Sequence, residues 1–262
     1  MSFTLLVVDD EPDIFTITRL ALRGLRLKEQ EVRIEAVYSA EEARAYLTKH
    51  PETAVILLDV VMESEHAGLE FCDWLRQRNK HTRILLRTGQ PGAAPEREVI
   101  DTYEIDGYLA KAEMTKNRLY SAVKSALRTF DELHHAITLE QSLHYLHQLA
   151  LDLGDQTSEE RLQSLVEAAC SLSDSDLALL YLQQDGKEPR LLFSSTLDDP
   201  NARVDEVLQE LSGDTPTLTG TTLPIEIKDG VGWFYLDRAL HQDPVAQKIL
   251  PLLGAHAARA VS

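Results

Sequence analysis

The chain has only two cysteines, Cys72 and Cys170, in 262 residues. Each lies inside a helical apolar pattern, so buried free thiols are expected and a disulfide framework is not. Long hydrophobic runs are also missing. The longest apolar stretch, residues 54–62, is too short to cross a bilayer and is interrupted by Asp59. Met1-Ser2-Phe3-Thr4 lacks the basic start of a signal peptide. These absences point to a cytoplasmic protein with no membrane insertion. Positive charge is scarce in one half only. Residues 1–128 hold 21 acidic and 18 basic side chains, whereas residues 129–262 hold 22 and 8, a balance of −14 out of a total of −17. Nucleic-acid binding draws most of its affinity from Lys and Arg on phosphates, so no nucleic-acid partner is expected for the second half.

What the sequence does have is ordinary globular material, 44% hydrophobic and 26% charged, in a length that suggests two domains. The first 116 residues alternate short apolar runs with amphipathic helical patterns. The runs are 4–9, 32–38, 54–59, 83–88 and 105–110, and their near-continuous hydrophobicity predicts a doubly wound, five-stranded parallel sheet covered on both faces. Pro12 suits the first turn of a helix running to about Leu25. Ser39 followed by Glu42 forms a capping box for the next helix, and Gly68 and Pro95 sit near later helix starts.

No Pro or Gly interrupts residues 112–153, which predicts one long helix. Leu119, Val123, Ala126, Phe130, Leu133 and Ile137 form a heptad-like series; Leu139, Leu143, Leu146, Ala150 and Leu153 continue it one residue out of phase. This reads as a linker helix, with a homodimer as one outcome. Beyond it the pattern is mixed α and β: a helix from Ser158, strands near 177–183 and 190–195, a helix near 204–211, strands 221–227 and 233–237 around Lys228-Asp229-Gly230, and a last helix over 244–261. The expected division is 1–128, a linker at 129–153, and an α+β domain with an antiparallel sheet at 154–262.

In an open parallel sheet, ligands bind beyond the carboxyl ends of the strands. Asp9, Asp10 and Asp59 fall there and would crowd negative charge into one crevice. An all-oxygen set of this density suits Mg²⁺. Asp59 is then placed to attack a phosphoryl group, with Lys111 as the ammonium that neutralises the transferring oxygens and Thr88 as a hydroxyl to bond one of them.

Leu-Val-Val-Asp-Asp-Glu at 6–11, Asp59 after an apolar strand, Thr88-Gly89, and Tyr108 three residues before Lys111 together resemble the receiver domain of two-component response regulators. The resemblance implies that Asp59 is the phosphoacceptor for a sensor histidine kinase. It also implies that Asp10, Asp59 and the backbone carbonyl of Val61 hold Mg²⁺, with Asp9 acting through water, and that Thr88 and Tyr108 form the switch. Two positions depart from the family: Ala112 stands where proline usually follows the lysine, and the loop 62–68 is about one residue long and lacks its usual proline. Arg-Thr-Gly-Gln-Pro-Gly at 87–92 and Tyr-Leu-Ala-Lys at 108–111 are similar to a receiver subgroup commonly followed by a GAF-like module. In many members that module precedes an HD-type phosphohydrolase acting on cyclic di-GMP, a domain absent from this chain. The second half is similar to a divergent GAF domain, implying a small ligand or a protein partner.

Other chemistry-bearing residues have simpler explanations. His134, His135, His144 and His147 suit a solvated face of an acidic linker, since no glycine-rich nucleotide-binding segment accompanies them. Cys170 and the Trp233-Phe234-Tyr235 run suit a core. A phosphatase using Asp59 directly would want a second aspartate at the position held by the apolar Val61. The sequence therefore leads to a phosphoacceptor switch that is not an enzyme beyond self-phosphorylation and slow hydrolysis. The alternative is the regulatory part of a cyclic di-GMP phosphodiesterase.

Overall fold

The computed structural model describes residues 3–89, 96–152, 157–173, 175–184, 190–196, 220–227, 230–237 and 243–261. The expected Pro95 helix start, the helix near 204–211 and the Lys228-Asp229 turn lie outside the described residues. The chain divides into two compact units, Met1–Ala136 and Ile137–Ser262.

In the first unit, strands β1 (Thr4–Val8), β4 (Arg33–Val37), β5 (Val55–Asp59), β6 (Arg83–Thr88) and β7 (Gly107–Ala110) form one parallel sheet in the order β4-β1-β5-β6-β7. Side chains alternate across a strand, and here both faces are buried. Leu5, Val7, Leu57, Leu85 and Leu109 pack with Leu119, Val123 and Leu127. Leu6, Val8, Leu58 and Leu86 pack on the other face with Ala43, Leu47, Phe71, Leu75 and Val99. This two-sided burial explains why the strands read as continuous apolar runs.

Helix α1 (Pro12–Ala21) starts at its proline but stops four residues short of the expected end. Gly24 has φ +77°, and a small hairpin of β2 (Arg26–Leu27) and β3 (Gln30–Glu31) follows, turning through Lys28 and Glu29 at φ 48° and 63°. Two left-handed residues in a two-residue loop make the turn type that matches strand twist. Helix α2 (Ala40–Lys49) is capped as expected: Ser39 Oγ accepts from the Glu42 amide at 3.1 Å. The Glu42 carboxylate reaches the Tyr38 amide rather than that of Ser39 itself. Helices α3 (Ala67–Arg76) and α4 (Glu96–Tyr103) complete the α2 side of the sheet. At the sheet end away from the strand carboxyl termini, Asp106 accepts from Arg83 at 2.9 Å and from the Ile84 amide at 2.7 Å, fixing β7 beside β6.

A 3₁₀ turn at Lys111–Glu113 precedes helix α5 (Lys116–Asp152), 37 residues long. Leu119, Val123, Ala126 and Phe130 of its first apolar series pack in the first unit. Leu139, Leu146 and Leu149 pack in the core of the second, so the phase change in the sequence marks a handover between two cores.

The second unit has an antiparallel sheet in the order β10-β11-β8-β9, from β8 (Leu177–Gln184), β9 (Arg190–Thr196), β10 (Thr221–Ile227) and β11 (Gly230–Leu236). Ala178, Leu180, Phe234 and Leu236 pack against helices α6 (Ser158–Ser173) and α7 (Pro244–Val261) through Leu165, Val166, Ile249 and Leu253. Leu177, Leu179, Tyr181 and Tyr235 are buried on the opposite face. The expected doubly wound sheet, long helix and separate α+β unit are all present. Among the described residues, no helix is long and apolar enough to cross a membrane.

Candidate phosphoacceptor site

Parallel register brings the strand ends into one row. Val8 pairs with Leu58, and Asp59 pairs with Arg87. Registered partners in a parallel sheet point to the same face, so Asp9, Asp59 and Arg87 stand side by side across β1, β5 and β6. Asp10 follows Asp9 and is exposed, whereas Asp9 and Asp59 are 3% and 2% exposed. Carboxylate oxygens of Asp9, Asp10 and Asp59 lie within 4.8 Å of one another. Among the described residues this is the one group of three or more His, Cys, Asp or Glu side chains close enough to share an ion.

Lys111, just past β7, brings Nζ to 2.6 Å from Asp59 Oδ2, 3.4 Å from Glu11 Oε1 and 3.9 Å from Asp9 Oδ2. Arg87 donates to the other side of the row, at Asp9 Oδ2. Asp9 Oδ1 accepts from the Glu11 amide at 3.0 Å. Burial pushes the Asp59 carboxyl up to about 6, reinforced by the charge of Asp9 and opposed by the Lys111 hydrogen bond. For Lys111, burial acts downward, but the Asp59 hydrogen bond and the charges of Asp59 and Asp9 outweigh it, and the ammonium is raised above its ordinary range.

Three carboxylates against one ammonium and one guanidinium leave a negative balance in the crevice. That chemistry fits a hard divalent cation with oxygen ligands. Val61 lies in the loop after β5 with its side chain 40% exposed. This longer loop is held in place by the Met62 amide donating to Ser64 O at 3.2 Å and by Glu63 accepting from the Ala40 amide at 3.0 Å. Gly68 is required there: a Cβ would come within 2.3 Å of the Asp59 carbonyl oxygen. No peptide bond is cis among the described residues, so Ala112 is accommodated through a trans bond. Thr88 is 3% exposed at the end of β6. Tyr108, registered beside Leu86, packs with it on the α2 side, the face to which Thr88 also points.

Sequence reasoning assigned no role to Arg87 or Glu11. Arg87 carried a usable signal: a charged residue inside a run that must be buried on both faces needs a charged partner. The other candidates separate from the site. Cys72 and Cys170 are buried and free, with burial pushing the Cys72 thiol up to about 12. His144 and His147 are exposed. His135 is held by Asp131, which also pairs with Lys28 at 2.7 Å. Phe234 is core, and Tyr235 and Trp233 pack on the sheet's second face.

The family model for the response regulator receiver domain matches residues 5–124, spanning every strand of the parallel sheet except the first residue of β1. Residues 5–124 are a response regulator receiver domain. In solved structures the chain is similar to the signal receiver domain of an HD domain-containing protein from Pseudomonas fluorescens Pf-5, at 20% identity and TM-score 0.45, over 51% of this chain and 92% of that one. It is also similar to a receiver domain protein from Methanospirillum hungatei, at 21% identity and TM-score 0.41, over 50% of this chain and 98% of that one. A curated relative from Vibrio cholerae serotype O1, 3'3'-cGAMP-specific phosphodiesterase 2, is 38% identical over 176 residues, covering 66% of this chain and 33% of the relative. The chain thus spans about a third of that relative's length. The matched share exceeds the 136 residues of the first unit, so the likeness extends past the receiver into the second unit. This finding overturns the expectation that the chain is not an enzyme, which rested on the receiver motifs and on the apolar Val61.

Proposed function

We propose that the receiver accepts a phosphoryl group on Asp59 from a sensor histidine kinase in the cytoplasm. The single observation that carries this is the Lys111 ammonium 2.6 Å from a buried Asp59 carboxylate, inside a cluster of three acids. Asp59 Oδ attacks phosphorus in line as the bond from phosphorus to the donor's imidazole nitrogen breaks, and the imidazole leaves with its electron pair and takes up a proton. Lys111 balances charge on the transferring oxygens, and Thr88 bonds one of them on arrival. Asp10, Asp59 and the Val61 carbonyl are assigned to hold Mg²⁺, with Asp9 acting through water. When bound, the ion neutralises the phosphoryl oxygens during transfer. Hydrolysis later returns the Asp59 carboxylate and inorganic phosphate.

Tyr108 follows Thr88, and the change passes along α5 to the second unit. In this reading residues 1–128 receive, 129–153 relay and 154–262 respond, through a GAF-like module that binds a small ligand or protein, within a homodimer. Incubation with Mg²⁺ and acetyl phosphate, followed by peptide mass spectrometry, tests the first step. An adduct on Asp59 that is lost in Asp59→Asn supports it; turnover of the donor with no adduct argues for a phosphatase instead.

A second reading has a specific observation in its favour, the 38% identity to a 3'3'-cGAMP phosphodiesterase. It makes the receiver the control element of a cyclic-dinucleotide phosphodiesterase. Release of linear dinucleotide from 3'3'-cGAMP that responds to acetyl phosphate and loses that response in Asp59→Asn supports it. Absence of hydrolysis from this chain and from the longest native form containing it removes the reading.

A further inference from the structure

The geometry points to Arg87 as a positioning residue that competes with the divalent ion for Asp9, so that a side chain outside the ligand set limits ion affinity. The inference rests on the reading of the crevice as an Mg²⁺-assisted phosphoacceptor and deepens it.

Arg87 interrupts the apolar run Ile84-Leu85-Leu86 and sits in register beside Asp59. Its side chain is 5% exposed and that of Asp9 is 2% exposed, so the pair is buried together. Both Asp9 oxygens are engaged, Oδ1 by the Glu11 amide and Oδ2 by the guanidinium. Lys111 also lies 3.9 Å from Asp9 Oδ2, but its short contact is with Asp59, at 2.6 Å. Lys111, 27% exposed on a long stem, stands by the nucleophile, while the buried Arg87 stands by Asp9.

A guanidinium is a delocalised cation with several donors, so it opposes a divalent ion at the neighbouring carboxylates. It also neutralises carboxylates that would otherwise repel one another, which holds the strand ends together before an ion arrives. Arg87 Nε is buried with no acceptor among the described residues. An incoming ion and Arg87 are alternative partners for the same carboxylate.

The test is a calorimetric Mg²⁺ titration of the full chain at neutral pH, comparing wild type with Arg87→Met, Arg87→Lys and Asp10→Asn. Arg87→Met is expected to bind Mg²⁺ about tenfold more tightly, Arg87→Lys to stay near wild type because the charge is kept, and Mg²⁺ to raise the melting temperature more in Arg87→Met. Unchanged or weaker binding by Arg87→Met overturns the inference. If that variant is unfolded without the ion, recovery of its circular dichroism on adding millimolar Mg²⁺ supports the inference, and failure to recover at any concentration overturns it. The underlying reading fails separately, if wild type binds no Mg²⁺ or if Asp10→Asn leaves binding intact.

Discussion

The two halves of this protein carry nearly the same number of acids, 21 in residues 1–128 and 22 in residues 129–262, and use them differently. The second half has by far the larger net negative charge, because only 8 basic residues offset its acids against 18 in the first. Yet the clustered, buried carboxylates lie in the first half, at the ends of β1 and β5. In the second unit, the described buried polar groups include Ser173, Ser175, the Tyr181 hydroxyl and the Arg161 Nε, and none of the described buried side chains there is a carboxylate. Net charge therefore does not make a site. Strand register does, by forcing acids from adjacent strands into one row where the solvent cannot screen them.

If the second unit is held by apolar packing, truncating its core should be the most damaging change. Phe234→Ala, which empties a fully buried position under α6 and α7, is expected to cost about 3 to 5 kcal/mol in a denaturant titration, with Mg²⁺ binding by the receiver preserved. Loss of both together would break the comparison.

In the receiver, the matching change is to chemistry rather than folding. Lys111→Ala should slow phosphoryl uptake from acetyl phosphate by about 10²- to 10³-fold, followed on phosphate-affinity gels, while the protein stays folded. A small effect would mean that Lys111 is not the cation that matters.

Crowded carboxylates should also weigh on stability, in a direction that pH reveals. Asp59 in the folded protein is pushed from 3.8 up to about 6, so between those values the folded state holds more protons than the unfolded one, and stability falls as pH rises through that window. Asp59→Asn removes the fall. Without Mg²⁺ it should be more stable than wild type by about 3 kcal/mol above pH 7 and no more stable below about pH 4, measured by thermal melts across pH. Destabilisation at neutral pH would contradict the crowding argument. The smallest effect belongs to local structure: Ser39→Ala should cost about 1 kcal/mol through loss of the α2 cap, with no change in phosphoryl uptake.

How much of this was legible in the sequence depended on which force shaped each part. The five parallel strands could be read because burial on both faces leaves no room for polar residues. The carboxylates could be read because they close those runs. The end of α1 could not, because Gly24 and the left-handed Lys28 and Glu29 make a small hairpin whose Leu27 is buried by tertiary packing. The phase change between Ile137 and Leu139 is visible in the sequence, but not that α5 contributes Leu119, Val123 and Ala126 to one core and Leu139, Leu146 and Leu149 to another. Arg87 went without a role because its partner, Asp9, is 78 residues away, and only the strand order brings them together.

If strand register rather than net charge gathers an ion site, a divalent ion binds first in the less acidic half. Mn²⁺ placed in the Mg²⁺ site and followed by paramagnetic broadening of backbone amide NMR signals tests this directly. The amides of Asp9, Asp10, Asp59 and Val61 are expected to broaden first, at substoichiometric ion. Broadening that begins in residues 154–262, or that spreads evenly over the acidic surface, would contradict it.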